Sequence, residues 1–184
     1  MTVTGIVLAA GAGTRLGRPK ADLILGGERL LDRAVRLLRA GGCDHLVAVV
    51  RRGTTVEGVH VVENPEPERG MGSSLQLGLR AAVGGRAVVT LVDLPGLEPD
   101  SVRRVLAAEA AVAVATYHGR RGHPVAFRAD VWDEIARNAQ GDQGARAFLR
   151  QRPDLVVDVA CDGDPADLDT AADLERWSAR RGLR

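Results

Sequence analysis

The chain has 184 residues, 45% of them hydrophobic and 27% charged, with a formal charge of +1. That balance suits one globular unit with a full core and excludes disorder and collagen-like repeats. The near-neutral charge argues against a duplex-DNA binder, and the 3% aromatic content leaves few stacking platforms for single strands.

The first predicted element is a buried parallel strand over residues 3–9, an apolar run that empties into glycines. Leu30, Leu31, Ala34, Val35, Leu37 and Leu38 then recur at helical spacing within 29–41, and Gly41-Gly42 provides the stop. Strands are predicted over 45–50 and 59–62, the second closed by Asn64-Pro65. A helix over 73–83 precedes a buried strand over 87–92 that ends at Asp93. A helix over 99–109, a strand over 111–117 and a short strand from His123 to Phe127 follow. Helices over 130–138 and 143–151, a strand over 155–160 and a helix over 171–181 complete the chain.

Strands alternating with helices predict an α/β fold, a single Rossmann-like three-layer domain over 1–184 with a mostly parallel sheet. The Gly- and Pro-rich stretches at 10–20, 63–72 and 119–124 are expected to be loops. Ligands of such sheets bind beyond the carboxyl ends of the strands. Cys43 and Cys161 form no CxxC pair, so neither a zinc site nor a disulfide framework is expected. No apolar run approaches the roughly 18 residues of a membrane span. Residues 1–5 carry no basic leader pattern. The expectation is a cytoplasmic protein with no membrane or nucleic-acid partner.

Residues 8–20 read Leu-Ala-Ala-Gly-Ala-Gly-Thr-Arg-Leu-Gly-Arg-Pro-Lys. Glycines after a strand let successive N–H groups face an anion, and Arg15 and Lys20 add positive charge suited to phosphates. The dinucleotide fingerprint fails, because its third glycine is Leu16 and the second strand ends in Arg51-Arg52 rather than an acid. The Walker loop fails too, because Gly13 and Gly17 are too close and Pro19 precedes Lys20.

The segment resembles the signature loop of the MobA-like nucleotidyltransferases, the family that includes molybdenum-cofactor cytidylyl- and guanylyltransferases. The resemblance implies the nucleotide-diphospho-sugar transferase type of fold. It implies that Leu8, Ala9, Ala10, Gly11, Gly13 and Thr14 line the nucleotide, with Arg15 and Lys20 on its phosphates. Residues 64–79, with Asn64-Pro65, Gly70-Met71 and Ser74-Leu75, are similar to a second family segment, which brings Ser73, Ser74 and Gly78 to the nucleotide. Ser73 reads equally well as a helix N-cap. Gly78 lies inside a helix, where it costs about 1 kcal/mol relative to Ala, and a close approach by base or backbone would explain it.

Asp93 stands at the end of a buried strand in Asp93-Leu94-Pro95. Mg²⁺ takes one or two carboxylates plus substrate phosphates, and the family places a metal-binding Asp in this motif. Residues 162–170 fail as an EF-hand, because Asp167 and Asp173 occupy the positions that require Gly and Glu. Asp167-Leu168-Asp169-Thr170 instead resembles a family segment whose second Asp joins the metal, which assigns Asp169; Asp167 reads as a loop or cap residue. Gly122-His123-Pro124-Val125 and Gly141-Asp142-Gln143-Gly144-Ala145-Arg146 resemble segments beside the acceptor. They imply acceptor roles for His123, Pro124 and Arg146, and Asp142 reads as a helix cap.

The resemblance therefore implies a Mg²⁺-dependent transfer of a nucleotidyl group from an NTP to a phosphorylated acceptor such as molybdopterin, with release of pyrophosphate. Arg15, Lys20 and Asp93 would be catalytic. It favours the cytidylyl branch and CTP, because cytidylyl members tend to carry Ala where guanylyl members carry Gly, and this chain has Ala10. The alternatives are a GTP-dependent or phospholactate-type enzyme, and a non-catalytic cofactor chaperone with a molybdoenzyme client. An NADP-binding oxidoreductase using Arg51-Arg52 is disfavoured by Leu16.

Overall fold

The computed structural model describes residues 2–180. The chain opens with β1 (Val3–Ala9), whose Val and Ile residues keep both faces buried. A two-strand ribbon, β2 (Ile24–Leu25) and β3 (Glu28–Arg29), leads into α1 (Leu30–Ala40). β4 (His45–Val50), β5 (His60–Glu63), α2 (Met71–Ala81) and β6 (Arg86–Leu91) follow. Then come α3 (Pro99–Ala107), β7 (Val112–Tyr117) and β8 (Arg120–Arg128). α4 (Trp132–Asn138), α5 (Arg146–Gln151), β9 (Val156–Ala160) and α6 (Ala171–Arg180) complete the described chain. The expected final helix reached residue 181, which lies outside the described residues.

Seven strands form one sheet in the order β5-β4-β1-β6-β8-β7-β9. β5, β4, β1 and β6 pair in parallel, as do β7 and β9, and β8 runs antiparallel between β6 and β7. The expected α/β domain with a mostly parallel sheet is therefore the fold. Period-2 alternation divides each strand between two cores. Ile6 and Leu8 join Leu75, Leu79, Ile135 and Phe148 of α2, α4 and α5. Val7 and Ala9 join Leu31, Leu38, Val102 and Trp177 of α1, α3 and α6. The Arg33 guanidinium lies 5.3 Å from the Trp177 ring centroid, joining α1 to α6.

Three local readings are corrected. The expected loop at 119–124 is mostly strand, because β7 and β8 form a hairpin across His118 (φ 51°) and Gly119 (φ 77°). Positive φ at both loop residues is the hairpin geometry that matches strand twist. The helix expected over 143–151 starts three residues later. Gly144, at φ 52° and ψ −125°, separates it from a short 3-10 turn over Gly141–Gln143. The β2–β3 ribbon was absent from the expected elements, although Gly26-Gly27 (φ 59° and 80°) has the two-residue turn chemistry that announces it.

No described helix is long and apolar enough to cross a membrane.

Candidate active site

The glycine loop leaves β1 at the carboxyl edge of the parallel strands, beside the ends of β4 and β6. Gly13, at φ 61°, opens a 3-10 turn over Thr14–Leu16, closed by Leu16 N–H donating to the Gly13 carbonyl at 2.9 Å. A Cβ on Gly13 would stand 2.0 Å from the Arg18 carbonyl oxygen, so only glycine lets the loop fold back on itself here. Arg51, at the end of β4, donates to the Ala10 carbonyl at 3.4 Å and supports the loop from the side. The loop returns through a second turn, Lys20–Asp22, anchored by Ala21 and Leu23, each 1% exposed.

Asp93 follows β6 by two residues, and the segment of Asp169 is tied to it. Leu168 N–H donates to the Asp93 carbonyl at 3.0 Å, and the buried Leu168 side chain plugs into the core beneath. On the far side, Thr170 and Asp173 cap α6 reciprocally. Asp173 Oδ2 accepts from Thr170 N–H at 2.8 Å, and Thr170 Oγ1 accepts from Asp173 N–H at 3.3 Å. Asp169 is thereby set between a core plug and a helix cap.

The consequence is a compact charged cluster drawn from distant parts of the chain. Lys20 Nζ donates to Asp93 Oδ2 at 2.6 Å and to Asp169 Oδ1. Arg15 donates to Asp169 Oδ2 at 3.2 Å. Burial alone would lower the Lys20 pKa, but its hydrogen bonds to Asp169 and Asp93, together with their charges, outweigh this and hold the ammonium above its usual value. Asp93 Oδ1 is buried and has no hydrogen-bond partner among the described atoms. Asp93 and Asp169 thus share one ammonium, and a hard cation such as Mg²⁺ takes one or two carboxylates of this kind together with phosphate oxygens. Among the described residues no larger His, Cys, Asp or Glu group is assembled.

A cleft of about 300 Å³ opens over this cluster, and Leu8, Ala10, Gly11, Lys20, Ser74 and Asp93 all line it. Ala9 points into the opposite core. Thr14 is exposed on the turn, and Gly13 acts by closing that turn. Ser73 is not an N-cap, since α2 starts after Gly70 without a side-chain cap. Its hydroxyl donates to the Gly70 carbonyl at 2.8 Å. Both serines accept from Asn64 Nδ2 at 2.9 Å, so the 3%-exposed Asn64 organises the whole wall. Gly78 departs from the expected nucleotide contact. A Cβ there would meet Ile6 Cγ2 at 2.7 Å, so its small size admits β1 against α2.

A second cleft of about 620 Å³ adjoins the first, and Leu8, Met71 and Leu91 border both. Its floor is apolar, including Val89, Val114, Val125 and Phe127, and its rim carries Arg120, Arg121, Arg146 and Arg150. His123 lines it, with Nδ1 3.3 Å from the Val89 carbonyl oxygen. Burial pushes the His123 pKa down. Pro124 is buried and does not border the cleft, which corrects its acceptor assignment. Asp142 caps no helix, and its carboxylate lies against Gly70 at the mouth of the smaller cleft. Of the residues that sequence reasoning passed over, Asn64 had a signal in its Asn-Pro position before a helix. Arg120, Arg121 and Arg150 had none, since nothing local separates them from the chain's other arginines.

The model of the MobA-like NTP transferase domain matches residues 5–156. The chain is 38% identical to nicotine blue oxidoreductase of Paenarthrobacter nicotinovorans, with 95% of each chain covered. It is 31% identical to a probable molybdenum cofactor guanylyltransferase of Mycobacterium ulcerans, covering 95% of this chain and 92% of that one. The crystal structure of Rv0371c from Mycobacterium tuberculosis superposes with a TM-score of 0.84 at 28% identity, covering 96% of this chain and 97% of that one. A manganese complex of the same protein superposes at 0.80. The fold is shared with a CMP:2-keto-3-deoxy-manno-octonic acid synthetase complexed with CTP, at a TM-score of 0.75 and 14% identity.

Proposed function

The chain belongs to the MobA-like NTP transferase family, and from that premise we propose that it transfers a nucleotidyl group from an NTP to a phosphorylated acceptor. An acceptor phosphate oxygen forms a bond to the α-phosphorus as the bond to the β-phosphate oxygen breaks, and pyrophosphate leaves. The acceptor is already a nucleophile, so the chain's task is positioning and charge neutralisation. The observation that carries the reading is the convergence of Arg15, Lys20, Asp93 and Asp169 at the mouth of a glycine loop. Arg15 and Lys20 hold the phosphates and favour departure of pyrophosphate.

Asp93 and Asp169 would hold Mg²⁺, for which the orphaned Asp93 Oδ1 and the manganese complex of Rv0371c are the supports. A bound Mg²⁺ supplies Lewis-acid neutralisation of phosphate charge.

In this reading the nucleotide is CTP and the acceptor resembles molybdopterin. Ala10 is 3% exposed and borders the smaller cleft, so its methyl group takes room a purine would need. The larger cleft's apolar floor suits a flat heterocycle, and its arginine rim suits a phosphate. A molybdoenzyme that takes up the product is the partner this acceptor brings with it. The test is pyrophosphate release with each of the four NTPs against molybdopterin, inositol phosphate and phospholactate. A clear GTP preference would overturn the cytidylyl choice, in line with the name of the Mycobacterium ulcerans relative. No pyrophosphate release with any pair would overturn the transfer reading.

A second reading follows from the 38% identical relative named an oxidoreductase. An apolar cleft beside a nucleotide-sized one would also seat a flat redox substrate next to a reduced pyridine nucleotide. Oxidation of that nucleotide in the absence of any NTP, unaffected by Asp93→Asn, would favour this reading over transfer.

A further inference from the structure

The two carboxylates assigned to a divalent cation already hold cations of the chain's own. Lys20 bridges Asp93 and Asp169, and Arg15 takes the remaining oxygen of Asp169. Two carboxylates with two side-chain cations form a neutral set. A free divalent ion meets little net attraction there. It must also displace an ammonium whose side chain is only 16% exposed.

We infer that Lys20 is an internal stand-in for the metal, closing the Asp93–Asp169 pair to free divalent cations until a nucleotide triphosphate draws the ammonium away. The inference rests on the reading of Asp93 and Asp169 as metal ligands. The turn that carries Lys20 is pinned by buried Ala21 and Leu23, so its backbone is fixed. The lysine stem is flexible and ends in a compact point charge, so a change of rotamer moves it. Lys20 borders both the carboxylates and the cleft over the glycine loop, so carboxylate and phosphate positions are neighbours. A triphosphate presents several charged oxygens, each a stronger acceptor than a neutral group. Once Lys20 and Arg15 turn to it, the negative charge of the two carboxylates is no longer offset, and Asp93 Oδ1 is open to a cation. Metal and nucleotide then bind as a coupled pair, and linkage requires each to raise the other's affinity by the same factor.

The experiment is a Mn²⁺ titration followed by the electron paramagnetic resonance signal of the free ion. Wild type, Lys20→Met, Lys20→Gln and Asp93→Asn are each titrated alone and with a CTP analogue whose α,β-bridge cannot be cleaved. Binding by the analogue itself is subtracted with a protein-free control. Without nucleotide, both Lys20 variants are expected to bind Mn²⁺ at least tenfold more tightly than wild type. The analogue is expected to tighten wild type at least tenfold and the Lys20 variants far less. Lys20→Gln keeps a hydrogen-bonding group without the charge, so the comparison survives if Lys20→Met fails to fold. Equal nucleotide-free affinity in wild type and a folded Lys20 variant would overturn the stand-in role. Undiminished Mn²⁺ binding by Asp93→Asn with the analogue present would instead overturn the metal reading beneath it.

Discussion

The cleft over the glycine loop and the larger cleft beside it share Leu8, Met71 and Leu91 as walls, yet they draw on the chain differently. The first is made at the ends of strands. Its backbone comes from the loop after β1, and its carboxylates come from the segments after β6 and β9. Arg15, Lys20, Asp93 and Asp169 at its base are paired with one another. The second is made by packing. Strand faces supply an apolar floor, and arginines from β8 and α5 stand around it. The first has the features of a site for fixed chemistry on phosphates, and the second those of a site for a particular shape.

The largest expected effect breaks the first cleft alone. Asp93→Asn removes one charge from the Asp93–Lys20–Asp169 cluster and should lower kcat/KM by at least about a hundredfold, or 2.7 kcal/mol. Steady-state pyrophosphate release at saturating Mg²⁺ measures it. Near-normal turnover would show that Asp93 holds no metal.

Gly78→Ala separates packing from ligand contact. The added Cβ would lie 2.7 Å from Ile6 Cγ2 and 3.3 Å from Val49 Cγ2, both on β-branched side chains with little freedom to retreat. Overpacking of this kind costs about 1–3 kcal/mol. Urea unfolding should show that loss while the KM for NTP stays unchanged. Intact stability with a raised KM would return Gly78 to the nucleotide.

Arg146→Ala addresses the second cleft. The KM for acceptor should rise roughly tenfold, about 1.4 kcal/mol, with the KM for NTP unmoved. Equal changes in both constants would mean that the two clefts do not divide the substrates between them.

The contrast also decides what the sequence could reveal. Gly11, Gly13, Lys20 and Asp93 sit at strand ends in contiguous motifs, and each motif states its chemistry without reference to the rest of the fold. The mostly parallel sheet was legible as a class, because runs such as 45–50 and 87–92 are largely apolar on both faces, whereas the strand order was not read. The β7–β8 hairpin was hidden, because His118-Gly119 lacks the Asn or Asp that usually marks such a turn. Gly78 was misread because a glycine within a helix signals a close approach without naming the approaching group. Here the group is a strand side chain. Of the arginine rim only Arg146 lay in a legible motif; Arg120, Arg121 and Arg150 join it only once the fold brings β8 and α5 to one cleft.

The smallest expected effect tests the second cleft's polarity. His123 is half-buried there, and desolvation lowers its pKa below the usual value near 6.5. The Arg146 charge acts in the same direction, while the Val89 hydrogen bond and the Asp93 charge oppose it without prevailing. The folded protein therefore keeps His123 neutral at a pH where the unfolded chain has already protonated it. Below pH 6.5 the unfolded state binds more protons, so stability falls as the medium is acidified. Above pH 7.5 both states are neutral and the effect vanishes. Between pH 7.5 and 5.5 this one group can remove less than about 1.4 kcal/mol, the limit set by a single proton over the single unit below its unfolded pKa. Urea unfolding of wild type and His123→Gln at both values isolates the term. The variant should lose less stability on acidification, and identical losses would mean that the cleft does not desolvate His123. In the first cleft the corresponding group, Lys20, is shifted the other way by its two carboxylates and stays charged throughout this range. Acid should therefore act on the neutral His123 of the second cleft before it disturbs the paired charges at the glycine loop.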